Sequence, residues 1–268
     1  MTELITMHTH STFCNHAKDP LDDMVQAAVD AGIAHMAATE HYPIPDELDP
    51  SKRSTMPAER LEAYIDAVRE QQKRDDIDVL LGCELDWLGK DETRALHASD
   101  FDRFDVVLGS IHFVDRWLMV SHKNMSRWKS VDLEAFWNRY VELWCEAAKS
   151  DMPFTVMAHA DVVKKFSPKP EFDLEPLYER MARAAREGGR MVEVNTSGAY
   201  AECAEYYPSP SLLQAFRAEG VACTVGTDAH CKEHIARDIE RAYDYMRAAG
   251  YTQLAVPTRG CGVRMVDL

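Results

Sequence analysis

Along the 268-residue chain, short apolar runs alternate with longer amphipathic stretches, and this alternation restricts the fold more than any other feature. The apolar runs lie at 4–7, 35–39, 79–83, 105–110, 154–158, 191–195 and 222–227. Most are built from Val, Ile, Leu, Met and Ala without polar alternation, the pattern of strands buried on both faces. Helices are predicted at 21–31, 58–74, 133–149, 174–186, 210–218 and 235–248, with Gly32, Gly188 and Gly250 as stop signals. Strands joined through helices run parallel, because parallel neighbours need a crossover. A doubly wound open sheet would satisfy that much. Some seven such units, with no linker-like stretch, internal repeat or low-complexity run, favour one closed α/β barrel over residues 1–268.

Charge and cysteine content exclude several partners. Asp and Glu total 45 against 30 Lys plus Arg, a net charge of −15 with histidine neutral, and mean hydropathy is −0.36. Duplex nucleic acid and anionic lipid are both held by cations, so neither suits this balance. Met1-Thr2-Glu3 runs straight into the first apolar run, unlike a secretory leader, and no stretch approaches the roughly 20 apolar residues of a membrane helix. Seven cysteines, an odd number without a C-x-x-C pair, read as reduced core residues in a cytoplasmic protein.

The polar residues that follow the apolar runs carry the chemistry. His8 and His10 follow the first, Glu40 and His41 the second, Glu84 closes the third, and His112 follows the fourth. His159 and Asp161 end the fifth, Asp228 and His230 the seventh, and His16 lies in the first loop. In a barrel all these ends converge on the C-terminal face. Residues i and i+2 of an extended segment point the same way, so His8 with His10, and Asp228 with His230, can grip one ion together. One histidine at a strand end is ordinarily a hydrogen-bonded structural residue. Seven gathered in one pocket without a metal would be left unpaired, or mutually repelling once protonated. Seven His with Glu84 and Asp228 make nine donors, too many for one four-coordinate ion and suited to three divalent ions sharing a carboxylate bridge. His35, at a strand start, and His97, in a polar helical stretch, read as structural. His122 and His234 fall in loops on the reactive side.

As a set, His8-Thr9-His10-Ser11, Thr39-Glu40-His41, Glu84, His112, His159 and Asp228-Ala229-His230 resemble the PHP (polymerase and histidinol phosphatase) superfamily, in order over essentially the whole chain. The stretches 109–115, 158–166 and 193–198, the last followed by Tyr207-Pro208-Ser209, are similar to the stand-alone histidinol-phosphatases. The resemblance implies a single-domain, distorted TIM-like (β/α)7 barrel with a trinuclear centre of Zn, Fe or Mn. One ion would take His8, His10, Glu84 and Asp228; a second Glu84, His112 and His159; a third His16, His41 and His230. Many relatives carry Leu-Arg after the Asn-Thr-Ser-Gly stretch, the Arg meeting the substrate phosphate, where this chain has Ala199-Tyr200. The family's other phosphate-binding cation would correspond to Lys164 or Lys165.

The implied reaction is hydrolysis of a phosphate monoester, foremost L-histidinol phosphate in histidine biosynthesis, by a hydroxide that the metals make available near neutral pH. Glu84, His112, Asp228, His41 and Asp161 are the catalytic candidates, with Asp161, Glu40 or His41 as the acid for the leaving group. Asp161 could equally orient His159 through its second ring nitrogen. Asp86, Asp115 or Glu193 could receive the amine and imidazole of such a substrate. Trp87, Trp117, Tyr200 or Tyr207 could stack on it, and Asn195 is a further contact candidate. Another small phosphate or a nucleotide remains the alternative substrate, and a non-catalytic metal-binding module the alternative class. All nine donors are present, which disfavours a degenerate module. Three bound divalent ions would add about six positive charges at one mouth, so the acidic surface is no obstacle to a phosphate substrate.

Overall fold

The computed structural model describes residues 2–96 and 101–268, so His97 lies outside the described residues. Seven parallel strands form the barrel: β1 (Leu4–Thr6), β2 (Ile33–Ala38), β3 (Asp78–Asp86), β4 (Val106–Ser110), β7 (Val156–Met157), β8 (Met191–Asn195) and β9 (Cys223–Gly226). Each pairs with its predecessor in that order. The last returns to the first: Met7 N donates to Val225 O at 2.8 Å, Asp228 N to His8 O at 2.8 Å, and the Thr6 and Thr227 hydroxyls meet at 3.0 Å. The sheet is thereby closed into a (β/α)7 TIM-like barrel.

Around it run α1 (Leu21–Asp30), α2 (Leu61–Gln71), α3 (Lys90–Ala95), α4 (Leu133–Lys149), α5 (Glu175–Gly188), α6 (Pro210–Ala218) and α7 (Ile239–Ala248). Their apolar stripes account for them. In α4, Trp137, Tyr140, Val141, Trp144 and Ala148 recur at helical spacing and are buried, and the Asp132 carboxylate caps the first turn by accepting from Ala135 N at 3.1 Å. The Tyr64 hydroxyl on α2 reaches the carbonyls of Ala38 and Gly82, each at 2.7 Å, and so pins the helix to β2 and β3. No helix among the described residues is long and apolar enough to cross a membrane.

Several elements differ from the sequence reading. The fifth run shortens to two strand residues, Val156–Met157, although Thr155 N and Ala158 N still bond to the β4 carbonyls of Val107 and Gly109. The helix expected at 235–248 begins at Ile239: Asp238 takes a left-handed φ of 58°, and its carboxylate accepts the hydroxyls of Tyr200 and Tyr206. Two hairpins were not legible, β5 (Phe113–Val114) with β6 (Trp117–Leu118), and β10 (Gln253–Thr258) with β11 (Gly262–Asp267). Two-residue strands carry almost no periodicity, and β10–β11 lies outside the repeated unit. The cysteines are all free, with Cys14, Cys83, Cys145, Cys223 and Cys231 buried.

Gly188 is not the stop residue of α5. It is the last helical residue, and Gly189 makes the left-handed turn at φ 65°. Gly188 serves a close approach, since a Cβ there would lie 1.9 Å from the Ala148 carbonyl oxygen at the end of α4. Gly188→Ala should therefore destabilise the protein by about 1–3 kcal/mol in urea or thermal unfolding, whereas an unchanged midpoint would show that α4 and α5 can separate freely.

Candidate metal centre

At the C-terminal rim the ladder continues past the strands, with Thr9 still paired to Ala229 and His41 to Glu84 in parallel register. Neighbouring strand ends are thus held about 4.8 Å apart, and their side chains meet. The Nε2 atoms of His8 and His10 are 3.1 Å apart. They lie 3.3 and 3.4 Å from Glu84 Oε2, and 3.7 and 3.2 Å from Asp228 Oδ1. The other oxygen of Glu84, Oε1, lies 2.9 Å from His159 Nε2 and 3.4 Å from His112 Nε2, which are 3.3 Å from each other. A third group joins His16, His41 and His230, and His41 Nδ1 sits 2.8 Å from Glu84 Oε2. Glu84 therefore touches all three groups.

The protons on the rings decide what this cluster needs. His16 Nδ1 faces the Cys14 carbonyl and His230 Nδ1 the Asp228 carbonyl, each at 2.9 Å. A carbonyl only accepts, so both Nδ1 atoms carry hydrogen and both Nε2 atoms present lone pairs, which face one another at 2.9 Å. Taking up a proton is disfavoured there: burial, then His41 and His230, push His16 down to about 3. Burial likewise lowers His230, and burial with His230 and His41 holds His10 well below the imidazole range.

The carboxylates meanwhile demand positive charge. Burial pulls His8 down, yet Glu193, Glu84 and Asp228 outweigh it and push His8 well above its usual range. Burial would raise Glu84, but His41, His8 and His112 hold it well below the carboxylate range. Its Oε2 receives no aligned hydrogen bond although three imidazoles crowd it. Facing lone pairs and an unsatisfied buried carboxylate oxygen are relieved together by divalent cations, so the donor set fits metal ions.

The supports behind the donors are specific. Glu193 Oε1 accepts from His8 Nδ1 at 2.9 Å, from His159 N at 2.9 Å and from Asn195 Nδ2 at 2.8 Å. Asp86 Oδ1 lies 3.0 Å from His112 Nδ1. Each such contact fixes the tautomer that turns Nε2 inward. Gly226 leaves room for this arrangement: a Cβ there would meet Glu193 Oε2 at 2.4 Å and His8 Cβ at 2.5 Å. The donors His159 and Asp228 have φ of 24° and 51°, left-handed values uncommon for residues with a side chain.

Other expectations are redirected. Asp86 and Glu193 are buried behind histidines and are no rim for a substrate amine, while Asp115 is on the surface with Arg139. Asp161 does not orient His159, whose Nδ1 has no hydrogen-bond partner among the described residues. Its carboxylate instead takes Ser209 N at 2.8 Å and Lys164 Nζ at 3.0 Å. Lys164 also binds Glu205 and the Tyr206 carbonyl, so its charge is already offset. Lys165 lies over the Phe166 ring at 5.5 Å, and His122 packs on that ring. Glu40 is buried against Ser11 N and Oγ, and burial pushes it up to about 7. Trp87 and Tyr207 are buried, and so is Trp117, among Trp128, Phe136 and Arg127. Tyr200 is 55% exposed. Asn195 Oδ1 accepts from Ser197 N and Oγ. His35 is tied to Asp78 and Glu3 on the far side of the barrel. Cys14, which sequence reasoning passed over, lies beside His10 and His230, but burial pushes its thiol far up and its Sγ donates to Ser11 O.

Because Glu193 aims His8, Glu193→Gln should weaken divalent-metal affinity by about ten- to a hundredfold in a chelator competition. Wild-type affinity in that variant would show that His8 needs no orienting carboxylate.

Comparison with known proteins bears on the family and the fold. The PHP domain family model matches residues 6–197. A Deinococcus radiodurans protein named "Probable histidinol-phosphatase" is 31% identical over 86% of this chain and 87% of its own length. A Schizosaccharomyces pombe protein of the same name is 24% identical over 96% of this chain and 90% of its own. Among solved structures, histidinol phosphate phosphatase from Lactococcus lactis subsp. lactis, complexed with Zn, L-histidinol and phosphate, superposes with a TM-score of 0.78. It shares 19% identity and is covered to 99%, against 98% of this chain. With more than two-thirds of its length matched by the family model, the chain belongs to the PHP domain family.

Proposed function

We propose that this protein is a metal-dependent phosphomonoesterase whose substrate is L-histidinol phosphate, releasing L-histidinol and phosphate. The observation that carries the chemistry is the bridging position of Glu84 among three groups of inward-facing donors. The names of the relatives support the substrate. We assign one ion to His8, His10, Glu84 and Asp228, a second to Glu84, His112 and His159, and a third to His16, His41 and His230. Divalent ions in these positions supply Lewis acidity, which activates water near neutral pH and offsets the charge that grows on phosphoryl oxygens.

The chain's own residues do the rest. Glu193 and Asp86 hold His8 and His112 with Nε2 turned inward, where each ring would meet a bound ion. The Ser110 hydroxyl donates to Glu84 Oε1 at 2.6 Å and holds that carboxylate across the centre. Ser197 Oγ lies 3.2 Å from Asp228 Oδ2 and steadies the remaining carboxylate at the mouth. Asp161 is engaged by Ser209 N and Lys164, Glu40 by Ser11, and His41 is a metal donor in this assignment, so none of the three acts as the acid for the leaving alkoxide.

Three measurements test this reading. Chelator-stripped protein should lose activity and regain it with Zn²⁺, Mn²⁺ or Fe²⁺; full turnover without metal sinks the mechanism. Removing one of the two facing imidazoles, in His16→Ala, should lower metal content by about one ion per chain by elemental analysis. Finally, kcat/KM for L-histidinol phosphate should exceed that for a nucleotide and for an aryl phosphate, and equal values would reject a dedicated substrate.

A further inference from the structure

On the segment that leaves Asp228 and His230, Arg237 is half-buried, and its guanidinium carbon lies 4.1 Å from the centre of the Tyr200 ring. Among the described residues nothing offers that guanidinium a carboxylate or a hydrogen-bond acceptor, in a chain of net charge −15. The neighbouring carboxylate is occupied. Asp238 Oδ2 accepts the hydroxyls of Tyr200 and Tyr206, each at 2.9 Å, and Arg241 Nη1 lies 3.3 Å from Oδ1. The same bonds fix the ring on which Arg237 rests. The backbone is anchored as well, since the Thr196 hydroxyl donates to the Arg237 carbonyl at 2.9 Å.

This assembly adjoins the metal centre. Ser197, next to Thr196, has its hydroxyl 3.2 Å from Asp228 Oδ2. Thr196–Tyr200 is a tight 3-10 turn, rising about 2 Å per residue, so Tyr200 stands about 6 Å along the chain from Ser197. The planar fork of N–H donors on that guanidinium matches phosphate oxygens. A partnerless, stacked and backbone-anchored guanidinium at the rim is built to receive an anion.

We infer that Arg237, presented on the face of Tyr200, binds the phosphate group of the substrate; this rests on the phosphomonoesterase reading above. The test titrates inorganic phosphate into metal-loaded protein and measures steady-state kinetics for wild type, Arg237→Gln, Arg237→Lys and Tyr200→Leu. Arg237→Gln should weaken phosphate binding about tenfold or more and raise KM more than it lowers kcat, at unchanged metal content. Arg237→Lys should recover part of the loss, and Tyr200→Leu, which removes the platform, should weaken phosphate binding several-fold. Phosphate affinity within about twofold of wild type in a folded, metal-replete Arg237→Gln protein overturns the inference. Should that variant unfold, unchanged affinity in Tyr200→Leu overturns it instead. Arg237-dependent phosphate binding by a wild type that hydrolyses no monoester would sink the phosphatase reading and leave this site standing. Turnover of L-histidinol phosphate with no effect of Arg237→Gln would do the reverse.

Discussion

Everything at the mouth of this barrel depends on like groups held against one another. Imidazole lone pairs at 2.9 Å and a buried Glu84 crowded by three rings are unfavourable without a cation between them. Backbone hydrogen bonds keep them there: strand ends locked by the ladder cannot move apart, and closure of β9 onto β1 brings Asp228 to His8. The fold thus supplies the stability that the donor set consumes, and a bound divalent ion returns part of it.

Order behind the donors matters as much as their presence. Glu193 and Asp86 are both acids that sequence alone placed at a substrate rim. Each lies one layer deeper and sets the tautomer of a histidine. Gly226 belongs to the same layer, because any side chain there would displace Glu193 or His8. The cations divide in a similar way. Lys164 is consumed by Asp161 and Glu205, whereas Arg237, 73 residues further along the chain, keeps its guanidinium unpaired over Tyr200.

Much of the barrel was legible because its signals are local. A fully buried parallel strand must be apolar on both faces, so the seven runs could be read without partners, and the polar residue after each marks where burial ends. The i, i+2 spacings of His8 with His10 and Asp228 with His230 carried the donor set for the same reason. Signals that need a partner were lost. The β10–β11 hairpin is outside the repeat, and the late start of α7 comes from hydroxyls of Tyr200 and Tyr206 reaching Asp238 from another loop.

The sequence by itself determined the alternation of strands and helices, the strand ends that bear the chemistry and the nine candidate donors there, since each follows from the order of residues within a short segment. Only the tertiary structure decided which acids face the donors and which stand behind them, which cation is already neutralised, and how Glu84 turns one oxygen to each side. Those outcomes depend on distances between residues 29 to 221 positions apart, such as Ser11 to Glu40 and Thr6 to Thr227, and no periodicity along the chain encodes them.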